Sequence, residues 1–553
     1  MNLSQMVKGA FEKAFPGGDF SFVRVVPATD PRFGDYQCND ALKIAGKFGM
    51  KPRDAAQKVA ENIDASLKVE IAGPGFLNLT VSGDWLASRL AEMDDSANLA
   101  VPQNGEGKRV VIDYSSPNAA KQMHIGHIRS TVIGNAIDRI FRALGYEVIA
   151  DNHLGDWGTQ FGILIMGYRQ CLSEDERVNL SVANLEKCYV LSAARAKESE
   201  DWKNACRNEL VKLQRGDEEN LALWRKFIDI SISEFDRMYA KLGVIFDTYR
   251  GESFYNSMMP GVVDRLLEMG LAKESEGALI VDLEDEKLGV AIVRKSDGGY
   301  NYTTSDLACV GSRVADYAPE RIIYVTDDRQ QLHFRQFFSI SAKMGYDVKL
   351  VHVPFGLMSY QGKAISTREG NLIKLDDLLS ESVRRSYEIV KDRGGDEALA
   401  QAIGFGAVKY ADLSHDPATA IDFNWDKALA LEGNSGPYLQ YACARVSSLM
   451  AKAGEIDLSN VAFAVDTPTE KRLALQLLEF PGAVVRAAEA YKPSILADYL
   501  FQTAQLYSSF YQNSPILKSE ERLRNARLKL CSLFGRVLSR GLELLGIESP
   551  KRI

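Results

Sequence analysis

The sequence predicts an α/β protein in which a parallel sheet is interrupted by a helical insertion and flanked by two further domains. Runs rich in β-branched residues, each followed by a turn and an amphipathic helix or a polar loop, indicate buried parallel strands; they are residues 109–112, 146–150 and 321–326. Charged helical patterns dominate from about 170 to 250, and beyond Leu379 the whole chain has a helical pattern. We therefore predict a small α/β domain at 1–105, a sheet domain at 106–379 with the insertion inside it, and a helical domain at 380–553.

Composition limits the possible classes of protein. With 553 residues, 46% of them hydrophobic and 25% charged, the chain is typical of a multidomain globular protein. No apolar run is long enough for a membrane helix, and the first residues lack a signal-peptide pattern. The seven cysteines are scattered, which favours a reducing cytoplasm and argues against a cysteine-rich zinc site. The net charge of -8 does not suggest a nucleic-acid protein, although local basic patches could still bind RNA.

The first domain is predicted from two helical runs around a glycine-rich middle. The helical runs are residues 3–15 and 52–63, and the middle is 33–39. Residues 71–79 are a turn that leads into an alternating strand. The polar segment 101–108 is a candidate linker to the sheet domain.

The central unit of the sheet domain is the strand, turn and helix between Arg109 and Gly145. His124, Gly126 and His127 lie near the start of the helix, where free N–H groups and the helix dipole favour phosphate. Histidines three residues apart share one helix face and can donate hydrogen bonds to a phosphate chain, and Gly126 leaves room for a flat ring or a backbone. Without this strand–turn–helix setting, a pair of histidines would instead indicate a surface helix or half of a metal site.

The residues around this pair carry a family resemblance. His124-Ile125-Gly126-His127 in this setting resembles the ATP-binding signature of class I aminoacyl-tRNA synthetases. The longer run from Ser115 to Thr131 is similar to arginyl-tRNA synthetases in particular. The resemblance implies a Rossmann-type sheet and a ligase that takes ATP with Mg²⁺, L-arginine and tRNA(Arg) as substrates. It further implies an activation step that requires bound tRNA. We also expect a monomer without zinc or membrane attachment.

A second loop follows the next strand, at the carboxyl end where ligands bind in doubly wound sheets. Gly155 and Gly158 permit a tight turn, and Asp156 and Gln160 offer polar groups, as does His153. The resemblance implies that this loop contacts the adenosine of ATP.

The arginine pocket is predicted from Tyr302 and Asp306, which are four residues apart and so share a helix face. A carboxylate suits a guanidinium because two parallel charge-assisted bonds can form, and an aromatic ring can align the same plane. Without the resemblance, Asp306 would be a helix cap or a surface acid. The family further implies Asp113 as a second carboxylate and Gln330 as a contact, with Gln331 as the alternative register. Ser115 and Asn118 are then expected to bind the α-amino group.

The last predicted strand of this domain is 349–353, and a polar loop follows it. Class I synthetases carry Lys-Met-Ser-Lys-Ser here, whereas this chain has Ile365-Ser366-Thr367-Arg368, so that Thr367 replaces the second lysine. Lys121, three residues before His124, can supply the missing cation near the phosphates. Lys363 and Arg368 can add to the positive field.

The remaining predictions concern tRNA. Residues 438–445 and 510–511 resemble an anticodon-binding helical bundle, which points to Tyr441 and Tyr511 as stacking residues. Residues 518–553 hold nine basic and four acidic side chains. In the first domain, Phe76 and Asn78 are the pair expected at the tRNA elbow, although Phe76 fits a core position equally well.

Two other functions remain possible at this point. One is a synthetase for another amino acid such as cysteine, which lacks support because no cysteine cluster is present. The other is a tRNA-binding paralogue without activity, for which Thr367 is the only support.

Strands at 279–283 and 290–294 are expected to extend the central sheet.

Overall fold

The computed structural model describes residues 3–360, 363–364 and 373–553, with backbone alone for Pro31, Lys363 and Ala364. The chain forms two compact units. The smaller unit holds residues 1–100, 453–479 and 506–534, and the larger holds 101–452, 480–505 and 535–553. The larger unit begins at Val101, inside the segment predicted as a linker. The predicted domain boundaries near 105 and 379 stay predictions.

The elements of the first hundred residues are helices and an antiparallel sheet. They are α1 (Leu3–Ala14), β1 (Val26–Pro27), β2 (Tyr36–Cys38), α2 (Ala41–Ala45), α3 (Pro52–Ala60), β3 (Leu67–Ala72), β4 (Phe76–Val81) and α4 (Gly83–Asp95). The strand order is β1-β2-β4-β3. Phe11, Leu77 and Leu79 are fully buried in the core beneath it.

The elements up to the end of the insertion begin with the predicted strand, turn and helix. They are β5 (Arg109–Asp113), α5 (Ile125–Ala143), β6 (Glu147–Asn152), α6 (Gln160–Cys171), α7 (Glu174–Val178), α8 (Val182–Glu198), α9 (Glu200–Gln214) and α10 (Glu218–Leu242). The helical insertion is therefore α6 to α10. Ser199 ends α8 and caps α9 through its hydroxyl, so the helical pattern here is divided between two helices.

The chain then completes the sheet domain. The elements are β7 (Thr248–Tyr249), α11 (Met259–Glu268), β8 (Ala272–Ser275), β9 (Ala278–Asp282), β10 (Val290–Arg294), α12 (Tyr302–Tyr317), β11 (Arg321–Asp327), α13 (Gln331–Lys343), β12 (Lys349–Phe355), β13 (Met358–Tyr360) and β14 (Lys363–Ala364).

The remaining elements are almost all helical. They are α14 (Leu375–Val390), α15 (Glu397–Leu413), β15 (Ile421–Phe423), α16 (Trp425–Ala428), α17 (Gly436–Ala453), α18 (Pro468–Leu478), α19 (Phe480–Ala490), α20 (Pro493–Asn513) and α21 (Glu521–Leu544). The short strand β15 pairs with β13, so this part of the chain is not wholly helical as the sequence suggested.

The central sheet of the larger unit is parallel, as the sequence predicted. Its five strands have the order β12-β11-β5-β6-β7. Val110, Val111 and Ile112 are fully buried, as expected for a strand covered on both faces. The edge strand β7, with two residues, was too short to be recognised from the sequence.

The prediction that 279–283 and 290–294 extend this sheet is wrong. Strands β8, β9 and β10 form a separate three-stranded antiparallel sheet. Only residues 283–289 join β9 to β10, and a connection of this length produces an antiparallel pair, because a parallel pair needs a crossover of a dozen or more residues.

Helix α5 is the central helix of the larger unit. The side chain of Arg129 on this helix is 1% exposed and pairs with Asp412 of α15 at 3.1 Å, while donating to the carbonyls of Gly356, Pro417 and Thr419. One buried guanidinium thus ties α5 to α15 and to two loops.

A second buried cation fixes the last residues of the chain. The Lys409 ammonium on α15 donates to the carbonyl oxygens of Leu242 at 2.7 Å and Gly546 at 2.5 Å. Gln440 donates to the carbonyl of Glu548. Burial lowers the pKa of Lys409 to about 7.

Candidate active site

The two predicted histidines cap helix α5. His124 is the residue before the helix, and its Nδ1 accepts a hydrogen bond from the backbone N–H of Gly126 at 3.1 Å. The Nδ1 of His127 accepts from the backbone N–H of His124, also at 3.1 Å. The ring centroids are 3.9 Å apart. Because both Nδ1 atoms are acceptors, each neutral ring must carry its proton on Nε2.

Both rings are neutral near pH 7. Burial, with the Lys121 ammonium as a further cause, lowers the pKa of His124 to about 4. Burial, His124 and Lys121 lower the pKa of His127 to about 3. The site therefore offers two fixed Nε2–H donors, which suit the oxygens of a phosphate chain.

Gly126 makes room for the histidine ring itself. A Cβ at this position would lie 2.8 Å from Cε1 and 2.9 Å from Nδ1 of His124. The sequence predicted that Gly126 leaves room for a ligand. The structure adds a second reason for glycine, because any side chain here would collide with the His124 ring that caps the helix.

A cavity of about 960 Å³ is lined by Asn118, Ala119 and Lys121 of the segment before α5, whereas His124 and His127 are not in its lining. Four of the predicted site residues line it: Asn118, Lys121, Gln160 and Tyr302. The insertion adds Tyr189 and Gln214 to the lining. Residues from three distant segments of the chain therefore meet around one cavity.

Asn118 and Gly155 join the two loops that follow β5 and β6. They form an isolated parallel bridge, and a Cβ on Gly155 would lie 2.1 Å from the Asn118 Oδ1. Glycine at 155 is therefore required for the loops to approach.

Asp156 turns away from the cavity lining. Its carboxylate accepts hydrogen bonds from the backbone N–H and the hydroxyl of Ser253, at 2.8 and 2.6 Å. Burial raises its pKa. Its position holds the loop after β6 against the segment that follows β7.

Asp113 is buried and already paired with a cation of this chain. Its Oδ2 lies 2.7 Å from Nη2 of Arg313, which also binds Asp151 at 2.7 Å. The second oxygen of Asp113 accepts from the hydroxyl of Ser116. Two carboxylates share one guanidinium, which leaves this group one negative charge in excess.

Ser115 is also buried. Its hydroxyl makes 2.8 Å hydrogen bonds with the hydroxyls of Thr131 and Tyr239, and its φ is +71°. These contacts hold the turn between β5 and α5.

The other predicted arginine contacts lie at the start of α12 and α13. Asp306 Oδ2 is 2.5 Å from Nε2 of His333. Tyr302 is 68% exposed and free to contact a ligand, whereas Gln330 is exposed at the residue before α13. Of the described residues, Asp113, Ser115, Asp306 and Gln330 are not in the lining of the cavity.

The loop residues Ser366, Thr367 and Arg368 lie outside the described residues. The described chain resumes at Ile373. The backbone of Ile373 accepts from Ile125, and Leu375 donates to Met123, so residues 373–375 pair with the chain on either side of His124.

Comparison with known proteins agrees with this geometry. The model described as "tRNA synthetases class I (R), catalytic domain" matches residues 90–425. The models "DALR anticodon binding domain" and "Arginyl tRNA synthetase N terminal domain" match residues 439–553 and 1–81. An arginine–tRNA ligase of Fusobacterium nucleatum is 42% identical over 99% of this chain and 98% of its own length.

The chain belongs to the arginyl-tRNA synthetase family. An arginine–tRNA ligase of Edwardsiella ictaluri is 41% identical, with both chains fully covered. Among solved structures, the arginyl-tRNA synthetase of Plasmodium falciparum superposes with a TM-score of 0.85 at 28% identity, over 100% of this chain and 98% of that one. The Thermus thermophilus enzyme gives 0.84 at 25%, with both chains fully covered. The predicted family and fold class are confirmed.

The residues expected to contact tRNA in this member of the family differ in exposure. In the smaller unit, Phe76 is half-buried, and Asn78 is 5% exposed with its Oδ1 accepting from Gln37 at 2.8 Å. Tyr511, in the same unit, is 37% exposed. In the larger unit, the half-buried Tyr441 ring lies 5.0 Å from the Arg445 guanidinium.

Sequence reasoning missed two charged groups of this arginyl-tRNA synthetase site. Glu252 lines the cavity, and burial, with Asp156 and Asp306 as further causes, raises its pKa to about 7. Arg313 is fully buried and links two strand ends. Glu252 follows the short strand β7, so a polar residue after a strand could have signalled it, whereas Arg313 has no local signal.

In the described part of the chain, no group of three or more His, Cys, Asp or Glu side chains could hold a metal ion. No described helix is long and apolar enough to cross a membrane.

Proposed function

We propose that the chain is an arginine–tRNA ligase, which joins L-arginine to the α-phosphate of ATP and then transfers the arginyl group to the terminal adenosine of tRNA(Arg). The observation that carries this proposal is the pair of neutral histidines with fixed Nε2–H donors, three residues after Lys121, which lines a cavity large enough for a nucleotide. All seven cysteines are free thiols, which supports a cytoplasmic location.

In the first step, an oxygen of the arginine carboxylate attacks the α-phosphorus and pyrophosphate leaves. ATP enters as its magnesium complex, in which the ion neutralises phosphate charge. His124 and His127 donate to phosphate oxygens, and the Lys121 ammonium stabilises the negative charge that develops on the leaving group. These contacts orient the triphosphate, and no side chain has to act as a nucleophile.

The amino acid is proposed to bind with its guanidinium toward Asp306 and Asp113. The net negative charge of the Asp113, Asp151 and Arg313 group supports a cationic ligand. Asn118 and Tyr302, which line the cavity, are available for the α-amino group and the guanidinium plane. The roles of Ser115 and Gln330 stay predictions.

For tRNA, the half-buried Phe76 and Tyr441 and the exposed Tyr511 are proposed to stack unpaired bases. Asn78 would have to release Gln37 before it could contact a base.

Exchange of labelled pyrophosphate into ATP tests the proposal. It should require both arginine and tRNA, and lysine or cysteine should not replace arginine. Asp306→Ala should abolish exchange while leaving tRNA affinity largely intact, and Asp264→Asn, an exposed acid of the same unit, is the matched control. Exchange at near-normal rates in Asp306→Ala would refute the pocket assignment. No exchange with any amino acid would favour an inactive tRNA-binding protein.

The position of the cation is tested separately. Lys121→Ala should slow exchange far more than Lys363→Ala does. The reverse order would assign the role of the cation to Lys363.

A further inference from the structure

The helical insertion brings an aromatic ring to the predicted phosphate site. The Lys121 ammonium lies 5.4 Å from the centroid of the Tyr189 ring on α8. Both residues line the same cavity. Without this contact, the charged residues of the insertion would indicate only helix faces exposed to solvent.

The ring is fixed, whereas the lysine is not. Tyr189 is half-buried and packs against a hydrophobic cluster that includes Leu185, Cys188 and Phe161. Lys121 is exposed, and no described carboxylate pairs with its ammonium. A free lysine side chain has many rotamers, so a contact with a fixed ring restricts where the charge lies.

The type of partner matters for the chemistry. A carboxylate beside Lys121 would cancel much of the positive charge that the phosphates need. The face of an aromatic ring attracts an ammonium through its quadrupole and leaves the net charge in place. The ammonium also lies close enough to His124 and His127 to oppose protonation of both rings.

We propose that Tyr189 is a positioning residue, which holds the Lys121 ammonium in the lining of the cavity and thereby gives the insertion a part in ATP activation. The inference rests on the proposed function, because it requires Lys121 to act on the triphosphate.

The first test measures kcat and KM for ATP in pyrophosphate exchange. Tyr189→Leu should lower kcat about two- to fivefold, the range that an exposed cation–π contact supplies. Tyr189→Phe, which keeps the ring, should retain at least half of the rate. Val190→Ala, a change at the exposed neighbouring residue, should leave the rate unchanged. Equal losses in Tyr189→Leu and Tyr189→Phe would refute the role of the ring face.

A double-mutant cycle separates positioning from packing. In a Lys121→Met background, Tyr189→Leu should change kcat by less than about 1.5-fold, because the charge it positions is gone. A loss of the same size in both backgrounds would mean that Tyr189 acts only through packing, and would overturn the inference while the proposed function stands. If Lys121→Met itself left exchange unchanged, the assignment of Lys121 in the proposed function would fail together with this inference.

Ring electrostatics give an independent measurement. Phenylalanine with one, two and three ring fluorines at position 189 should lower kcat stepwise, because each fluorine weakens the negative potential of the ring face. A rate independent of fluorination would also refute the proposal.

Discussion

Replacing Gly126 with alanine should separate the stability of the fold from its chemistry. The new Cβ would lie 2.8 Å from Cε1 and 2.9 Å from Nδ1 of His124, whereas ordinary contacts begin at 3.4 Å. The ring must therefore move by roughly 0.5 to 1 Å, and the hydrogen bond from the Gly126 N–H to Nδ1 is weakened or lost.

The two effects on stability nearly cancel. Loss of a helix cap costs about 1 kcal/mol. Alanine in place of glycine within the first turn returns about 0.5 to 1 kcal/mol. We therefore expect the free energy of unfolding of Gly126→Ala to change by less than about 1 kcal/mol.

The rate should change much more. If His124 binds the reacting phosphate as proposed, a displacement of about 1 Å costs on the order of a hundredfold in rate. Pyrophosphate exchange and urea unfolding measure the two quantities on the same preparation. Gly261→Ala is the control, since a Cβ there meets nothing within 4 Å. This variant should unfold at a slightly higher urea concentration and should catalyse pyrophosphate exchange at the wild-type rate. Full exchange activity in Gly126→Ala would refute the view that the His124 ring must stay in place.

Three further predictions follow from buried charges. Arg129→Met leaves Asp412 buried without its partner, so we expect a loss of about 3 to 5 kcal/mol in the free energy of unfolding, measured with urea, and partial recovery in Arg129→Met/Asp412→Leu. The pKa of His124 is lowered from 6.5 to about 4 and that of His127 to about 3, so the stability these neutral rings contribute is present above pH 6.5 and is lost as the pH falls through 4 and 3. The urea concentration at the unfolding midpoint, measured between pH 7 and 3.5, should therefore fall more steeply for the wild type than for His124→Asn. The pKa of Glu252 is raised from 4.5 to about 7, so the stability that its neutral carboxyl group contributes is present below pH 4.5 and is lost as the pH rises through 7. Urea unfolding should therefore show Glu252→Gln to be more stable than the wild type at pH 8 but not at pH 4.

Much of the fold could be predicted from the sequence because its signals are local. Buried parallel strands leave continuous apolar runs, and β5, β6, β11 and β12 each coincide with such a run. The assignment of β9 to the central sheet failed because an apolar run does not tell which strand it will pair with.

The histidine pair shows where a correct motif still hides its geometry. The spacing suggests two rings on one helix face, whereas His124 precedes the helix and both Nδ1 atoms bind backbone N–H groups. Capping, rather than helical periodicity, sets the direction of the Nε2–H donors.

Partners that are distant in the chain could not be predicted. Asp113 pairs with Arg313, 200 residues away, and the Tyr189 ring that faces Lys121 belongs to a helix whose pattern indicates only a solvated surface. Such pairings depend on the tertiary fold, because the sequence around one residue does not indicate which distant residue it will contact.

The carbonyls of residues 546 and 548 have a consequence for truncated forms of the protein. That of Gly546 accepts from Lys409 and that of Glu548 accepts from Gln440, and both bonds are part-buried in the larger unit. A chain that lacks residue 546 leaves the buried ammonium with the Leu242 carbonyl but without its second acceptor, so the unit cannot complete this set of hydrogen bonds. Polypeptides truncated before Gly546 should therefore remain open to proteases and be degraded instead of accumulating as partly formed enzyme.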